Sequence, residues 1–295
     1  MHFLIFVLTY PIIWLLSKLP MRILYVLSDL FYFLFYYIIG YRKKVVSENI
    51  KLAFPEKSDQ EVQKIAKKFF KHFCDLIFES VKAFSISEKE ILKRYTYKNP
   101  EVLNDIANKG RSIAMLGAHQ ANWEWSVNMA LITNINCFGT YNKIENPYFD
   151  KTIRNSRQKF GFIGYKTCDT INAMMENNKK DKNGLHVLLS DQSPKVSKTF
   201  YWSEFMGIKV PIHTGAEMLS KKFNLVVINY TTRKVKRGYF ETEFTLLTES
   251  PNDFDDYEIT DKYLRIIEAE IRNKPEHYLW SHKRFKHRNK VPKDL

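Results

Sequence analysis

The sequence predicts an α/β fold in which helices flank a mixed, largely parallel sheet, preceded by a hydrophobic helical N-terminus. Short apolar runs bounded by polar or turn residues are typical of buried strands, and apolar residues at helical spacing lie between them. The strand runs are 112–116, 187–189 and 225–230, with a weaker one at 240–247, and the helical stretches are 123–132, 217–223 and 261–272. Strands that alternate with helices favour parallel pairing, because the helix carries the chain back to the end of the sheet at which the previous strand began.

The N-terminus contains two apolar runs, at 3–16 and 23–39, joined by a short polar link. Neither run reaches the ~20 clean apolar residues of a comfortable membrane span, and Asp29 interrupts the second. Their many Tyr, Trp and Phe residues favour the bilayer interface, and the basic triplet 42–44 follows, as expected at a cytoplasmic exit. We predict a membrane-anchoring element, either a single tilted span or a shallow helical hairpin; a pair of buried core helices is the alternative.

The chain after this element divides at Gly110. Ser58 with Glu61 forms a capping box, and apolar residues then recur at helical spacing. A second helical segment covers 87–94, and the strand pattern begins only after Gly110. The predicted organisation is 1–41 for the anchoring or interfacial helices, 42–110 for a helical segment and 111–295 for the α/β domain.

The charge and cysteine content limit the possible functions. The 295 residues carry a formal net charge of +14, which suits an anionic membrane, an acidic protein or a nucleic acid. No nucleic-acid recognition module accompanies the basic residues, so we expect no nucleic-acid partner. The three cysteines are widely spaced and outside any CxxC pair, and HExxH, GxSxG, P-loop and Rossmann motifs are missing from the sequence. We therefore expect no metal and no cofactor.

The stretch 117–125, GAHQANWEW, contains the candidate catalytic residues. Gly117 ends a predicted strand, and Asn122 is a good N-cap, so His119 lies in the turn and Glu124 in the first helical turn. On one continuous helix the two side chains would be roughly 140° apart, whereas a turn before the helix lets the carboxylate reach the imidazole. Such an imidazole can take a proton from a hydroxyl group. The spacing alone also fits a structural histidine.

This stretch resembles the catalytic block of the late acyltransferases of lipid A biosynthesis, which are relatives of the glycerol-phosphate acyltransferases. Four further blocks match the family in the same order along the chain. They are 41–55 after the anchor, 190–194 (SDQSP), 205–207 (FMG) with 214–215 (TG), and 278–285 (YLWSHKRF). The resemblance covers nearly the whole chain and implies a glycerolphosphate-acyltransferase-like fold.

The resemblance also implies an activity and a location. A fatty acyl chain would pass from an acyl thioester, acyl-acyl carrier protein or acyl-CoA, to a hydroxyl of a lipid A precursor. The enzyme would work at the cytoplasmic face of the bacterial inner membrane. His119 would be the general base, Glu124 would orient it and stabilise its charge, and Asn122 and Trp123 would shape the turn. No covalent acyl-enzyme is required.

Further site residues follow from the other matching blocks. Asp191 and Gln192 would line the same cleft. Arg154 and Arg157 would hold phosphates, although a solvated helix face is equally compatible with them. The remaining substrate-binding residues implied by the third block are Gly207, Thr214 and Gly215.

Some positions depart from the enterobacterial members of the family, among them Ser193, Pro194, Lys209 and His213. These departures leave the acceptor open, and a lysophospholipid, a glycolipid or an aminolipid are the alternatives. A membrane-tethered basic binding protein without catalysis is the non-enzymatic alternative. An intact base and carboxylate argue against it, because a binding protein needs neither.

Overall fold

The structure is a computed structural model that describes residues 1–179 and 183–292. Its helices are α1 His2–Lys18, α2 Met21–Phe33, α3 Lys43–Ala53, α4 Asp59–Lys82, α5 Glu88–Arg94, α6 Glu101–Asn108, α7 Pro147–Gln158, α8 Thr170–Lys179, α9 Gly215–Phe223 and α10 Glu258–Asn273. Its strands are β1 Tyr95–Tyr97, β2 Ile113–Gly117, β3 Asn136–Tyr141, β4 Ile163–Lys166, β5 Gly184–Leu189, β6 Tyr201–Phe205, β7 Ile208–Ile212, β8 Val226–Lys236 and β9 Tyr239–Thr248. A π-helical turn, Leu34–Ile39, continues α2, and Trp123–Leu131 forms a 3₁₀ helix.

Seven strands form the central sheet in the order β1-β9-β8-β2-β5-β3-β4. The five strands from β8 to β4 are mutually parallel, whereas β9 runs antiparallel to β8 and β1 runs parallel to β9. The predicted mixed, largely parallel sheet is therefore confirmed. The short strands β6 and β7 form a separate antiparallel hairpin. The closer likeness to the glycerolphosphate acyltransferases in fold stays a prediction.

Helices cover both faces of this sheet because successive side chains of a buried strand point to opposite sides. Ala114 and Leu116 of β2 pack into a core shared with α3, α4, α9 and α10. Ile113 and Met115 of the same strand pack into a second core with α6 and the 3₁₀ helix. All of β2 is buried, which explains why its sequence is a continuous apolar run rather than an alternating one.

The N-terminal helices place few residues inside the molecule. Leu24 is fully buried where α2 packs on α4, and α1 packs on α4 and α7. Most other apolar side chains of α1, α2 and the π-helical turn are exposed. We call these residues the outward apolar face; they include Leu8, Leu15, Val26, Leu30 and Ile38. Among the described residues one helix, the 19-residue stretch Met21–Ile39, is long and apolar enough to cross a membrane. The alternative of two buried core helices is wrong.

The segment 42–110 is mainly helical, as predicted, and its capping box is present. The side chain of Ser58 accepts a hydrogen bond from the backbone N–H of Glu61, and the Glu61 carboxylate accepts one from the backbone N–H of Ser58. The segment also supplies β1, which pairs with β9 at the edge of the central sheet. The boundaries at 41 and 110 stay predictions.

Candidate active site

The centre of the site is a hydrogen-bonded pair, His119 and Asp191, that neighbouring strands place together. β2 and β5 pair in parallel, and Gly117 lies opposite Leu189 at their ends. His119 follows Gly117 by two residues, and Asp191 follows Leu189 by two residues. His119 Nδ1 lies 2.7 Å from Asp191 Oδ1, and the backbone N–H of His119 donates to Asp191 Oδ2 at 3.2 Å. Ligands bind at such carboxyl ends of parallel strands.

The electrostatics of the pair favour a charged aspartate and a basic imidazole. Burial by itself would lower the pKa of His119, but the charge of Asp191, its hydrogen bond and the charge of Glu124 raise that pKa above its ordinary value. Burial would raise the pKa of Asp191, yet His119 and the hydrogen bonds hold it below its ordinary value. Asp191 is 1% exposed as a side chain and His119 is 19% exposed, so the histidine is the member open to a ligand.

Gly117 is required where β2 ends. A Cβ atom at this position would lie 2.1 Å from the ring of Tyr230 on β8, far inside van der Waals contact. The hydroxyl of Tyr263 on α10 donates to the Gly117 carbonyl at 2.7 Å. Aromatic rings therefore pack against this backbone, and any larger residue would displace the turn that carries His119.

The C-terminal segment 277–285 forms backbone hydrogen bonds with the same turn. The backbone N–H of Leu279 donates to the His119 carbonyl at 3.1 Å, and the N–H of Ala121 donates to the His277 carbonyl at 2.9 Å. Trp280 and Phe285 are buried and fix this segment to the main core. Ala121 has a φ of 50°, a left-handed conformation that a non-glycine residue adopts only when its surroundings hold it there.

Asn122 caps the 3₁₀ helix, as its sequence position predicts. Its Oδ1 accepts a hydrogen bond from the backbone N–H of Trp125 at 3.0 Å, and the helix begins at Trp123. Asn122 is completely buried, and its Nδ2 donates to Glu79 Oε2 at 2.8 Å. It therefore shapes the turn without lining the cavity. The ring of Trp123 meets that of His119 edge-on, with centroids 5.3 Å apart.

Glu124 is bound to a different partner from the one expected. Arg157 Nη2 donates to both of its oxygens, at 3.2 Å to Oε1 and 2.9 Å to Oε2. The expected hydrogen bond between the Glu124 carboxylate and the His119 ring is not formed in the described structure. Asp191 occupies the imidazole Nδ1, and Glu124 instead accepts from Arg157 on α7. Glu124 acts on His119 through its charge, which raises the pKa of the imidazole.

A cavity of about 780 Å³ opens beside this pair, within the range of small-molecule sites. Its polar lining residues include His119, Trp123, Glu124, Asp150, Arg154, Arg157, Gln192, His213 and Lys222, and its apolar ones include Val127, Ile144, Ile153, Phe162, Ile171, Val187 and Leu189. One cavity thus combines a basic, hydrogen-bonding part with apolar walls. A ligand with an anionic or polar head and a hydrocarbon chain matches this lining.

Comparisons with known proteins identify the family of this chain. The sequence model of the family described as bacterial lipid A biosynthesis acyltransferase matches residues 2–287. The chain belongs to this family. The lipid A biosynthesis lauroyltransferase of Escherichia coli K12 is 25% identical over 280 residues, which cover 94% of this chain and 90% of that enzyme. The palmitoleoyltransferase of the same strain is 22% identical over 282 residues, covering 94% and 89%. Acyltransferase 2 of Shigella flexneri is 21% identical and covers 81% and 76%.

Only some of the other site residues that the sequence predicted for this lipid A acyltransferase line the cavity. Arg154, Arg157, Gln192 and Gly215 line it, as does Trp123. Gly207 and Thr214 do not line the cavity. Asp191, which was expected to line it together with Gln192, is buried behind His119 and does not. Gly207 makes the turn between β6 and β7 with a φ of 75°, and Thr214 is the buried residue that precedes α9.

Several residues that line the cavity escaped the sequence interpretation, and two of them can contribute a charge or a hydroxyl group. Lys222, near the end of α9, and Tyr230 of β8 both line the cavity. Neither belongs to a motif, and only the packing of α9 and β8 beside β2 brings them to the site. A basic residue in the last turn of a helix normally indicates favourable charge near a helix C-terminus, so the sequence offered no signal for Lys222.

Proposed function

We propose that this acyltransferase moves a fatty acyl chain from acyl carrier protein to a hydroxyl of a lipid A precursor. The observation that supports this most directly is the His119–Asp191 pair, 2.7 Å from Nδ1 to Oδ1, whose His119 lines the cavity. Family membership gives the acyltransferase class and the lipid A pathway. The donor, the acceptor hydroxyl and the roles of the individual residues belong to this proposal.

His119 acts as the general base. Its Nδ1–H donates to Asp191, which leaves the lone pair of Nε2 to accept the proton of the acceptor hydroxyl. The hydroxyl oxygen attacks the thioester carbonyl carbon and forms a tetrahedral intermediate. This intermediate collapses with loss of the thiolate, which takes the proton from Nε2. Asp191 holds the ring in this tautomer and stabilises the imidazolium that forms between the two proton transfers.

The charged residues around the pair have separate roles. Glu124 adds negative charge near His119 and holds Arg157 at the cavity wall. Arg154 and Lys222 contribute positive charge to the same cavity. Phosphate groups occur on lipid A precursors and on the phosphopantetheine arm of carrier proteins, and guanidinium and ammonium groups are their usual partners. We assign substrate phosphate binding to Arg154, Arg157 and Lys222.

The lipid acceptor and the carrier protein determine where the enzyme works. The outward apolar face of α1 and α2 suits lipid chains, and the basic triplet Arg42, Lys43 and Lys44 suits anionic headgroups at the cytoplasmic surface. Acyl carrier proteins are acidic, so a partner with a net charge of +14 attracts them over a distance. These features support a reaction at the cytoplasmic face of the inner membrane.

The proposed function is tested by comparing lipids from cells with and without the gene by mass spectrometry. We expect lipid A from the deleted strain to lose the mass of one acyl chain, and the wild-type gene but not the His119→Ala gene to restore it. In parallel, the purified enzyme receives acyl-acyl carrier protein or acyl-CoA at low and high salt. Unchanged lipid A with an altered phospholipid profile would assign another acceptor, and salt-insensitive use of acyl-CoA would assign the other donor.

A further inference from the structure

Helix α4 contacts the turn that carries His119 through two buried polar side chains, His72 and Glu79. His72 Nε2 lies 3.2 Å from the Ala121 carbonyl, and Glu79 Oε2 accepts a hydrogen bond from Asn122 Nδ2 at 2.8 Å. The two α4 residues are seven apart, so they lie on the same face of the helix, two turns from one another. Neither of them lines the cavity.

Glu79 makes the more extensive of these contacts. Its Oε1 accepts a hydrogen bond from the Tyr25 hydroxyl on α2 at 2.8 Å, and its backbone carbonyl accepts one from Trp125 Nε1 at 2.9 Å. Together with the bond from Asn122, these contacts join three elements: α2, α4 and the 3₁₀ helix that follows His119. Tyr25 lies on the helix whose other side forms the outward apolar face.

A carboxyl group in this position is costly to bury. Glu79 is 0% exposed, and burial raises its pKa to about 7 although the charge of Lys234 opposes the shift. An apolar residue would avoid this cost, but it would leave the Asn122 amide and the Tyr25 hydroxyl without their acceptor. The hydrogen bonds are therefore the physical reason for a carboxyl group here.

We propose that Glu79 is a positioning residue for acyl transfer, acting through Asn122 to hold the turn that presents His119 to Asp191 and to the cavity. This inference rests on the proposed function. Asn122 Oδ1 caps the 3₁₀ helix only while its Nδ2 is held by Glu79, because both groups belong to one rigid amide. Loss of the Glu79 acceptor frees the amide to rotate, and the cap and the turn before it lose their fixed position.

The sharpest experiment compares four variants of the full-length enzyme. Glu79→Ala removes both side-chain hydrogen bonds. Glu79→Gln keeps an acceptor for Asn122 and places its own N–H₂ against the Tyr25 oxygen, so it is the conservative rescue. Tyr25→Phe removes only the bond on the α2 side. Ile65→Ala, a core position on the same helix fourteen residues before Glu79, controls for loss of stability.

We expect kcat of Glu79→Ala to fall by about 10- to 100-fold with little change in KM, because misplacement of a catalytic group by about 1 Å has such an effect. Glu79→Gln should recover most of the loss, Tyr25→Phe should lose less than Glu79→Ala, and Ile65→Ala should keep its kcat while melting earlier. Hydrogen exchange measured by mass spectrometry supplies a readout that does not depend on activity. In Glu79→Ala, backbone amides of 119–125 should exchange faster, but not in Ile65→Ala.

Each outcome decides the proposal. A Glu79→Ala enzyme with wild-type kcat, a Gln variant as impaired as the Ala variant, or a loss of kcat equal to that of Ile65→Ala would overturn the positioning role. A failure of the proposed function looks different, because the wild-type enzyme would then transfer no acyl chain or His119→Ala would transfer it normally. The exchange rates of 119–125 still test the contact in that case.

Discussion

Asp191 accepts two hydrogen bonds from one residue: the ring Nδ1 of His119 donates to Oδ1 at 2.7 Å and its backbone N–H donates to Oδ2 at 3.2 Å. Both oxygens of the carboxylate are therefore committed, and the imidazole is fixed in position as well as in tautomer. Asp191 is almost completely buried, which protects these bonds from competition with water.

Asp191→Asn should lower kcat by a factor on the order of 10⁴, the loss that the same change causes in the Ser-His-Asp triad. Asparagine has one acceptor oxygen where Asp191 uses two. If that oxygen accepts the backbone N–H of His119, the amide N–H₂ faces Nδ1, and the ring proton moves to Nε2, where the base is needed. Steady-state acyl transfer by the purified variant, with circular dichroism as the folding control, measures the effect. A loss of less than about tenfold would contradict the assigned role.

The pH dependence of kcat/KM should carry the signature of the same pair. His119 works unprotonated, so activity rises as the pH increases through its pKa, which lies above the ordinary 6.5 in the folded protein. Removing the negative charge of Asp191 lowers that pKa, so the acid limb of the residual activity in Asp191→Asn should move to lower pH. An acid limb that stays in place or moves upward would be inconsistent with a titrating His119 beside Asp191.

Glu124→Gln should separate the two roles assigned to Glu124. Without its charge the pKa of His119 falls and the ion pair with Arg157 is lost, so we expect kcat/KM to fall by about 10²-fold and its acid limb to shift to lower pH. Arg157→Gln is the matched control, because it breaks the same ion pair while removing positive charge and cannot lower the pKa of His119. Identical pH profiles for the two variants would argue that Glu124 serves only to hold Arg157.

Gly117→Ala should destabilise the folded enzyme by about 1–3 kcal/mol, because its Cβ would overlap the ring of Tyr230. Gly215→Ala is the control, since a Cβ there meets no atom within 4 Å. Chemical denaturation gives both free energies of unfolding. Equal stability of the two variants would show that the Tyr230 ring moves aside without cost.

The membrane contact should depend on the outward apolar face. Val26 and Leu30 are 68% and 67% exposed on α2, and the double change Val26→Lys, Leu30→Lys should release the protein from vesicles. A lysine in the bilayer core costs roughly 2.5–3.5 kcal/mol, so two are enough to weaken attachment. Val235→Lys, at a position that is 65% exposed outside these helices, should still sediment with vesicles. Retention of the double variant on membranes would place the contact elsewhere.

The sequence predicted the elements whose patterns are local. The strand runs at 112–116, 187–189 and 225–230 correspond to β2, β5 and β8, and the weaker run at 240–247 corresponds to β9. The short strands β3 and β4 were missed, because Asn136–Tyr141 and Ile163–Lys166 contain glycine and polar residues that break any apolar run. Strand β1 was missed inside a segment that is otherwise helical.

The site shows the same division between local and non-local information. His119 in the turn and Asn122 as the cap follow from neighbouring residues, and both lie as predicted. The prediction that Glu124 is the hydrogen-bond partner of His119 was wrong. Glu124 is close in sequence, whereas the actual partner, Asp191, is 72 residues away and meets His119 only through the register of β2 with β5. The contacts of Glu79 connect α2, α4 and the turn, and no sequence pattern specifies a pairing of this kind.

The most direct test of His119 as the base is single-turnover acyl transfer by the purified His119→Ala enzyme, supplied with saturating acyl-acyl carrier protein and a lipid A precursor. We expect the rate to fall by about 10²- to 10⁴-fold while the protein keeps its wild-type fold and membrane binding, because a positioned general base contributes a factor of this size. Transfer at a rate close to that of the wild-type enzyme would contradict the role of the His119–Asp191 pair in the reaction.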